Sequence, residues 1–151
     1  MILYLDASAL VKRYVAEMGS LEMSKAIAEA EIIGTVLISR AEVGAALAKA
    51  VRARRLPREG ALPSLQLFRQ EWRDIVRVQV SEMLVARADL LAWDHGLRGY
   101  DAVQLAAATL WQDAIGEVVT MATFDQQLWS AAGQMGLEPY PIDLPTLLED
   151  N

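Results

Sequence analysis

Four acids in this chain of 151 residues draw attention by where each one falls. Asp6 ends the apolar run ILYLD, and Glu42 lies three residues after Ser39 in SRAEVGAALAKA. Asp101 stands near the start of the very apolar stretch LRGYDAVQLAAATLW, and Asp125 follows VVTMATF. Hard carboxylate oxygens suit Mg²⁺ or Mn²⁺, ions that keep several waters and take one or two carboxylates directly. The chemistry that needs such a set is displacement at phosphorus, where a cation activates water and stabilises charge on the attacked and leaving oxygens. No thiol competes for the role, since the chain has no cysteine, and its one histidine, His95, sits in AWDHGLRG as a surface or capping residue rather than a base.

Each acid also has a plain structural reading. Asp6 is placed to cap the next helix, Glu42 to complete a Ser-x-x-Glu capping box with Ser39, Asp101 to form a capping-box variant with Gln104, and Asp125 to start a helix. These readings do not explain why all four fall at one edge. Crowded carboxylates raise one another's pKa values unless cations neutralise them, so their convergence is costly without metal.

That edge follows from the elements that carry the acids. ILYLD reads as a strand and SALVKRYVAE as a helix; residues 20–30 read as a second helix and IIGTVLI as a buried strand. Ser39 opens a helix to about Arg55 whose stripe is Val43, Ala46, Leu47, Ala50 and Val51. Pro57 and Pro63 bracket a turn before the helical LQLFRQEWRD; IVRVQV reads as a strand and MLVARADLLAWDH as a helix. After the apolar helix, VVTMATFD is a strand, QQLWSAAGQMG a helix with Gly136 at its C-terminus, and LEPYPID an edge strand. Strands alternating with helices imply an α/β fold with a parallel sheet covered on both faces, whose site lies beyond the strands' carboxyl ends.

The composition sets the frame. With 54% hydrophobic and 23% charged residues the chain reads as one globular domain over 1–151, without repeats or linkers. Absent cysteines, a leader and a membrane span, the expectation is a soluble cytoplasmic protein. The net charge of −6 opposes long-range attraction to nucleic acid, but two bound Mg²⁺ would bring it to −2. Arg52, Arg54 and Arg55 form a basic knot in VRARRLPR, read either as a solvated helix end or as a contact for an anionic partner.

The segments YLDASALVKRYVAE, SRAEVGAALAKA, LRGYDAVQLAAA and VTMATFDQQLWSAA, in that order and spanning nearly the whole chain, resemble the four acidic motifs of PIN-domain ribonucleases. More narrowly, they resemble the VapC toxins of bacterial type II toxin–antitoxin modules. The resemblance implies an αβα sandwich with a parallel central sheet flanked by helices, and Mg²⁺- or Mn²⁺-dependent endoribonuclease activity. It also implies a homodimer and a cognate antitoxin that covers the site. Asp6, Glu42, Asp101 and Asp125 match the family's catalytic quartet, and Ser8 and Thr123 match hydroxyl positions beside it. On this footing Asp6 and Asp101 are the principal metal ligands, Asp125 serves a second ion or its water, and Glu42 orients the attacking water or completes the metal's shell. Ser8 and Thr123 would hydrogen-bond carboxylates or a phosphate oxygen, and Arg52, Arg54 and Arg55 would meet the RNA backbone or acidic residues of an antitoxin. Residues 56–80 carry no family motif and are where substrate choice is expected to be decided.

Other classes fit less well. A haloacid-dehalogenase-type phosphatase wants a second Asp where Ser8 stands, and a receiver domain wants a late lysine, whereas Lys12, Lys25 and Lys49 are all early. The serious alternative is a PIN-like module that binds protein without catalysis. Trp72, Trp93 and Trp129 are candidates for its partner surface as well as for core packing.

Overall fold

The computed structural model describes residues 1–150, which form five strands and eight α-helices. The strands are β1 (Ile2–Leu5), β2 (Ile32–Val36), β3 (Val76–Val78), β4 (Val119–Ala122) and β5 (Glu138–Tyr140). They make one sheet in the order β3-β2-β1-β4-β5, and every pairing is parallel. The strand order reverses between β1 and β4, so the crevice beyond the carboxyl ends of these two central strands is where a parallel sheet offers a binding site.

The helices are α1 (Ala7–Leu10), α2 (Ser20–Glu29), α3 (Ser39–Arg52), α4 (Arg58–Glu71), α5 (Glu82–His95), α6 (Gly99–Ile115), α7 (Gln126–Gln134) and α8 (Leu144–Glu149). They cover both faces of the sheet, and the period-two alternation of β1 decides which side each residue serves. Leu3 and Leu5 join Leu10, Val43, Leu47 and Phe68 on the face of α1–α4. Tyr4 joins Leu84, Leu91, Leu105, Trp111 and Leu128 on the opposite face of α5–α7. The result is the three-layer αβα sandwich expected from the sequence.

Helix α6 lies close against the sheet because its buried stripe is small. Ala102, Ala106, Ala107 and Ala108 are all buried, and the Trp111 ring occupies the space a side chain on Gly34 would need, 2.6 Å from where its Cβ would stand. A helix so closely seated is a rigid mount for whatever projects from its first turn.

Three local expectations are corrected. The helix after Asp6 is one turn long and tightens into a 3₁₀ turn at Val11–Arg13, where Arg13 and Tyr14 turn aside to bind Glu71. Pro63 lies inside α4 rather than in a turn. Its missing N–H leaves the Glu59 carbonyl without a helical bond, and both residues are exposed, so water replaces the bond. Ser39 and Glu42 do not form a capping box: the residue before α3 is Ile38, which gives no side-chain cap. Among the described residues, no helix is long and apolar enough to cross a membrane.

Candidate active site

Asp6 is buried at the end of β1, only 3% exposed, and accepts three hydrogen bonds. Its Oδ1 receives Ser8 Oγ at 2.7 Å and the Ala9 N–H at 2.8 Å, and its Oδ2 receives Thr123 Oγ1 at 2.6 Å. The two hydroxyls are themselves aimed. Ser8 Oγ accepts from the Phe124 N–H and Thr123 Oγ1 from the Asp125 N–H, so each hydroxyl turns its proton to the carboxylate. A carboxylate has about four acceptor positions, and one on Oδ2 is left open. Burial pushes the Asp6 carboxyl up to about 6, against the three hydrogen bonds that hold it down, and the charge of Asp101 adds to the rise. Both Ser8 and Thr123 therefore stand beside the first acid, as the sequence pattern implied.

Glu42 points from the first turn of α3 and is half-buried. Its Oε1 lies 3.4 Å from Gln104 Nε2, a long contact. Burial pushes its carboxyl up to about 6, Gln104 pulls it down, and the charges of Asp6 and Asp101 raise it further. With no capping box to complete, this carboxylate is available to the site.

Asp101 and Asp125 are bridged by a side chain that the sequence reading missed. Arg98 Nε donates to Asp101 Oδ2 at 3.0 Å, and Arg98 Nη2 donates to Asp125 Oδ2 at 3.3 Å. Asp101 caps nothing: α6 begins without a side-chain cap, and Gln104 points inward instead of forming the expected box. Asp125 does cap α7, accepting the Leu128 N–H on Oδ1, as Asp6 caps α1. Both acids cap with Oδ1, and their Oδ2 atoms meet Thr123 and Arg98 respectively.

Below the carboxylates lies a buried polar network. Gln104, 1% exposed, accepts from the Tyr4 hydroxyl at 2.7 Å and donates to Ser39 Oγ at 2.9 Å. Thr35 Oγ1 is 2.7 Å from both Ser39 Oγ and the Leu5 carbonyl oxygen. The only sequence signal was a Gln three residues after Asp101 in an otherwise apolar run, the i, i+3 spacing that places both on one helix face. Replacing Gln104 with Ala removes the acceptor of the buried Tyr4 hydroxyl and leaves Ser39 Oγ with Thr35 as its side-chain partner. We expect a loss of about 1–3 kcal/mol in a urea titration, with Glu42 titrating still higher.

The basic knot is split. Arg54 has φ 55° and lies in the left-handed region, where an ordinary L-residue costs about 1 kcal/mol. The Arg54 N–H donates to the Val51 carbonyl and the Arg55 N–H to the Ala50 carbonyl, a Schellman turn that reverses the chain after α3. Arg55 consequently lines a cleft that begins at Ser8, Arg52 lines a different groove between α3 and α4, and Arg54 is exposed. His95 ends α5 with Nδ1 3.1 Å from Gln134 Oε1, and none of the four acids is its hydrogen-bond partner.

Three of the four acids are thus coupled by charge, and the fourth is tied to Asp101 through Arg98. Among the described residues no three carboxylates enclose a ready-made metal cage. The donor set still fits a hard divalent ion, because Mg²⁺ takes one or two carboxylates and fills its remaining positions with water.

No family model matches the chain. Among curated proteins it is 31% identical over 144 residues to Ribonuclease VapC45 and to Ribonuclease VapC49, both of Mycobacterium tuberculosis, covering 95% of this chain and 97% of each relative. Among solved structures, PAE2754 from Pyrobaculum aerophilum superposes with a TM-score of 0.63 at 22% identity, over 99% of this chain and 96% of that one, a likeness of fold. At that identity and coverage to two curated relatives, and with a parallel αβα sandwich of the kind the motifs imply, the chain belongs to the VapC-like PIN-domain ribonuclease family.

Proposed function

We propose that this protein is a Mg²⁺- or Mn²⁺-dependent endoribonuclease acting in the cytoplasm as the toxin of a type II toxin–antitoxin module. The observation that carries the reading is the gathering of Asp6, Glu42 and Asp101 where the strand order reverses, close enough that the charge of Asp101 adds to the rise that burial gives both Asp6 and Glu42. Carboxylates that destabilise one another are held there at a cost a divalent cation relieves.

In this reading Asp6 and Asp101 would hold the cation, and Asp125 would serve a second ion or a water bound to it. When bound, the cation supplies Lewis acidity at the phosphoryl oxygen and lowers the pKa of water. Ser8 and Thr123 fix the Asp6 carboxylate by their hydroxyls, leaving one acceptor position on Oδ2 unused. Glu42, with its carboxyl near 6, is suited to accept the proton of an attacking water at neutral pH. The Gln104 contact keeps its Oε1 oriented.

An antitoxin would cover this edge, and a second copy of the chain would meet α5. Trp93, 88% exposed, projects from the helix that also lines an apolar cleft with Val85, Ala88 and Ala92. A knob and a hole on one surface can pair with themselves across a twofold axis.

The test is cleavage of a structured RNA pool by protein freed of any partner. Cutting is expected with Mg²⁺ or Mn²⁺ and none in EDTA. If neither condition gives cleavage and divalent cations leave the melting temperature unchanged, the chain is a non-catalytic binding module.

A further inference from the structure

A cleft of about 440 Å³ opens at Ser8 and runs between the 3₁₀ turn after α1 and helix α3 to Arg55. It adjoins the carboxylate site through Ser8, whose hydroxyl donates to Asp6. Glu42, Ala46 and Lys49 repeat at i, i+4 and i+7 on α3, so a single helix face carries the chain of contacts from the acids into the cleft. From Glu42 to Lys49 the rise is about 10 Å.

The cleft combines apolar and charged walls. Val11, Val15, Ala16 and Ala46 give it apolar walls, Lys49 and Arg55 line it from α3 and the turn that follows, and the Glu17 carboxylate also lines it. A third cation, Lys12, is already engaged: it pairs with Glu17 at 2.9 Å and lies over the Phe124 ring at 4.3 Å. Lys49 and Arg55 are exposed and have no ion-pair partner among the described residues. Two free cations are thus grouped one helix face away from four acids, on a protein whose net charge is −6. That placement suits a polyanion that must also pass the acids, and apolar walls beside the cations suit the ribose and base between two phosphates.

We propose that this cleft is a subsite for the single-stranded RNA flanking the cleaved bond, with Lys49 and Arg55 binding its backbone phosphates. The subsite rests on the nuclease reading above. It would make the reversal at Arg54 functional, because that turn brings Arg55 to the cleft while Arg52 faces elsewhere.

Binding of a fluorescent 2′-O-methylated RNA oligonucleotide, read by anisotropy against salt concentration in Mg²⁺, tests the subsite without requiring turnover. The double variant Lys49→Ala/Arg55→Ala should bind about tenfold more weakly at low salt. Its log Kd against log salt should be shallower by about 1.4, since each single-strand phosphate contact contributes about 0.7. Arg58→Ala/Arg69→Ala removes the same charge from α4, outside the cleft, and should leave the slope unchanged. In cleavage, the first variant should lose rate on long RNA while matching wild type on a dinucleotide. All four side chains are exposed, and a thermal melt verifies that both variants fold.

An unchanged slope in the first variant, an equal change in the second, or no binding by wild type overturns the subsite. So does loss of poly-L-glutamate binding with RNA binding intact, which would mark a protein-docking surface. Wild type that binds RNA but never cuts it overturns the nuclease reading instead, leaving the slope to decide the cleft.

Discussion

Asp101→Asn is expected to reduce RNA cleavage by at least about 10²–10³-fold, while changing folding stability by less than about 1 kcal/mol. The asymmetry comes from what the carboxylate touches. Its hydrogen-bond partner in the protein is Arg98, whose side chain is 80% exposed, and an ion pair so open to solvent contributes little to stability. It caps no backbone N–H, so an amide of nearly the same shape leaves α6 intact. It does contribute charge, raising both Asp6 and Glu42. Asparagine removes that repulsion and with it the negative charge a divalent ion needs. The check pairs a cleavage time course in Mg²⁺ with a urea titration in EDTA. A folded variant that cuts at the wild-type rate would take Asp101 out of the chemistry and leave the nuclease site to be sought among other residues.

Much of this arrangement is legible in the sequence, for reasons that differ from residue to residue. Asp6 could be placed because a short apolar run ending in an acid, followed by helical spacing, fixes both the strand and its exit. Parallel pairing then carries Asp125 to the same edge. Ser8 and Thr123 followed from their positions in the acidic motifs, and both donate to Asp6. The misses are tertiary. Ser39 reads as a cap from local spacing, but Thr35 and Gln104, four residues before it and 65 after it, draw its hydroxyl inward. Pro63 reads as a turn because proline disfavours helix interiors, yet an exposed position in α4 lets water take the orphaned carbonyl. Arg98 carries no periodic signal, and its role depends on α6 and α7 beginning side by side. Helix α8 has only six residues, too few for a hydrophobic period to register. In VRARR the charges are plain, but one left-handed residue decides which groove each arginine meets.

Cation-free protein is expected to lose stability as pH rises from about 4 to 7, and Mg²⁺ to restore it most strongly at the upper end. The Asp6 carboxyl is raised from 3.8 to about 6, chiefly by burial. A carboxyl whose folded pKa exceeds its unfolded value favours the fold fully below the unfolded pKa. That contribution is lost as pH rises through the folded value, here about 3 kcal/mol in total at roughly 1.4 kcal/mol per unit. Glu42, raised to about 6, acts with the same sign. Glu71 acts oppositely: despite its partial burial, Arg13 and Tyr14 hold it low, so it adds stability as pH rises through the acid range. Asp6→Asn separates these contributions, because the amide does not titrate while Glu71 is untouched; the wild-type melting temperature should fall relative to the variant between pH 4 and 7. A divalent ion binds the deprotonated carboxylates, so its stabilisation of wild type should grow across the same interval, and Asp6→Asn should lose most of that growth. A Mg²⁺ shift that is the same at pH 5 and pH 8, or one that Asp6→Asn fully retains, would show that the acids at this edge are not where the cation binds.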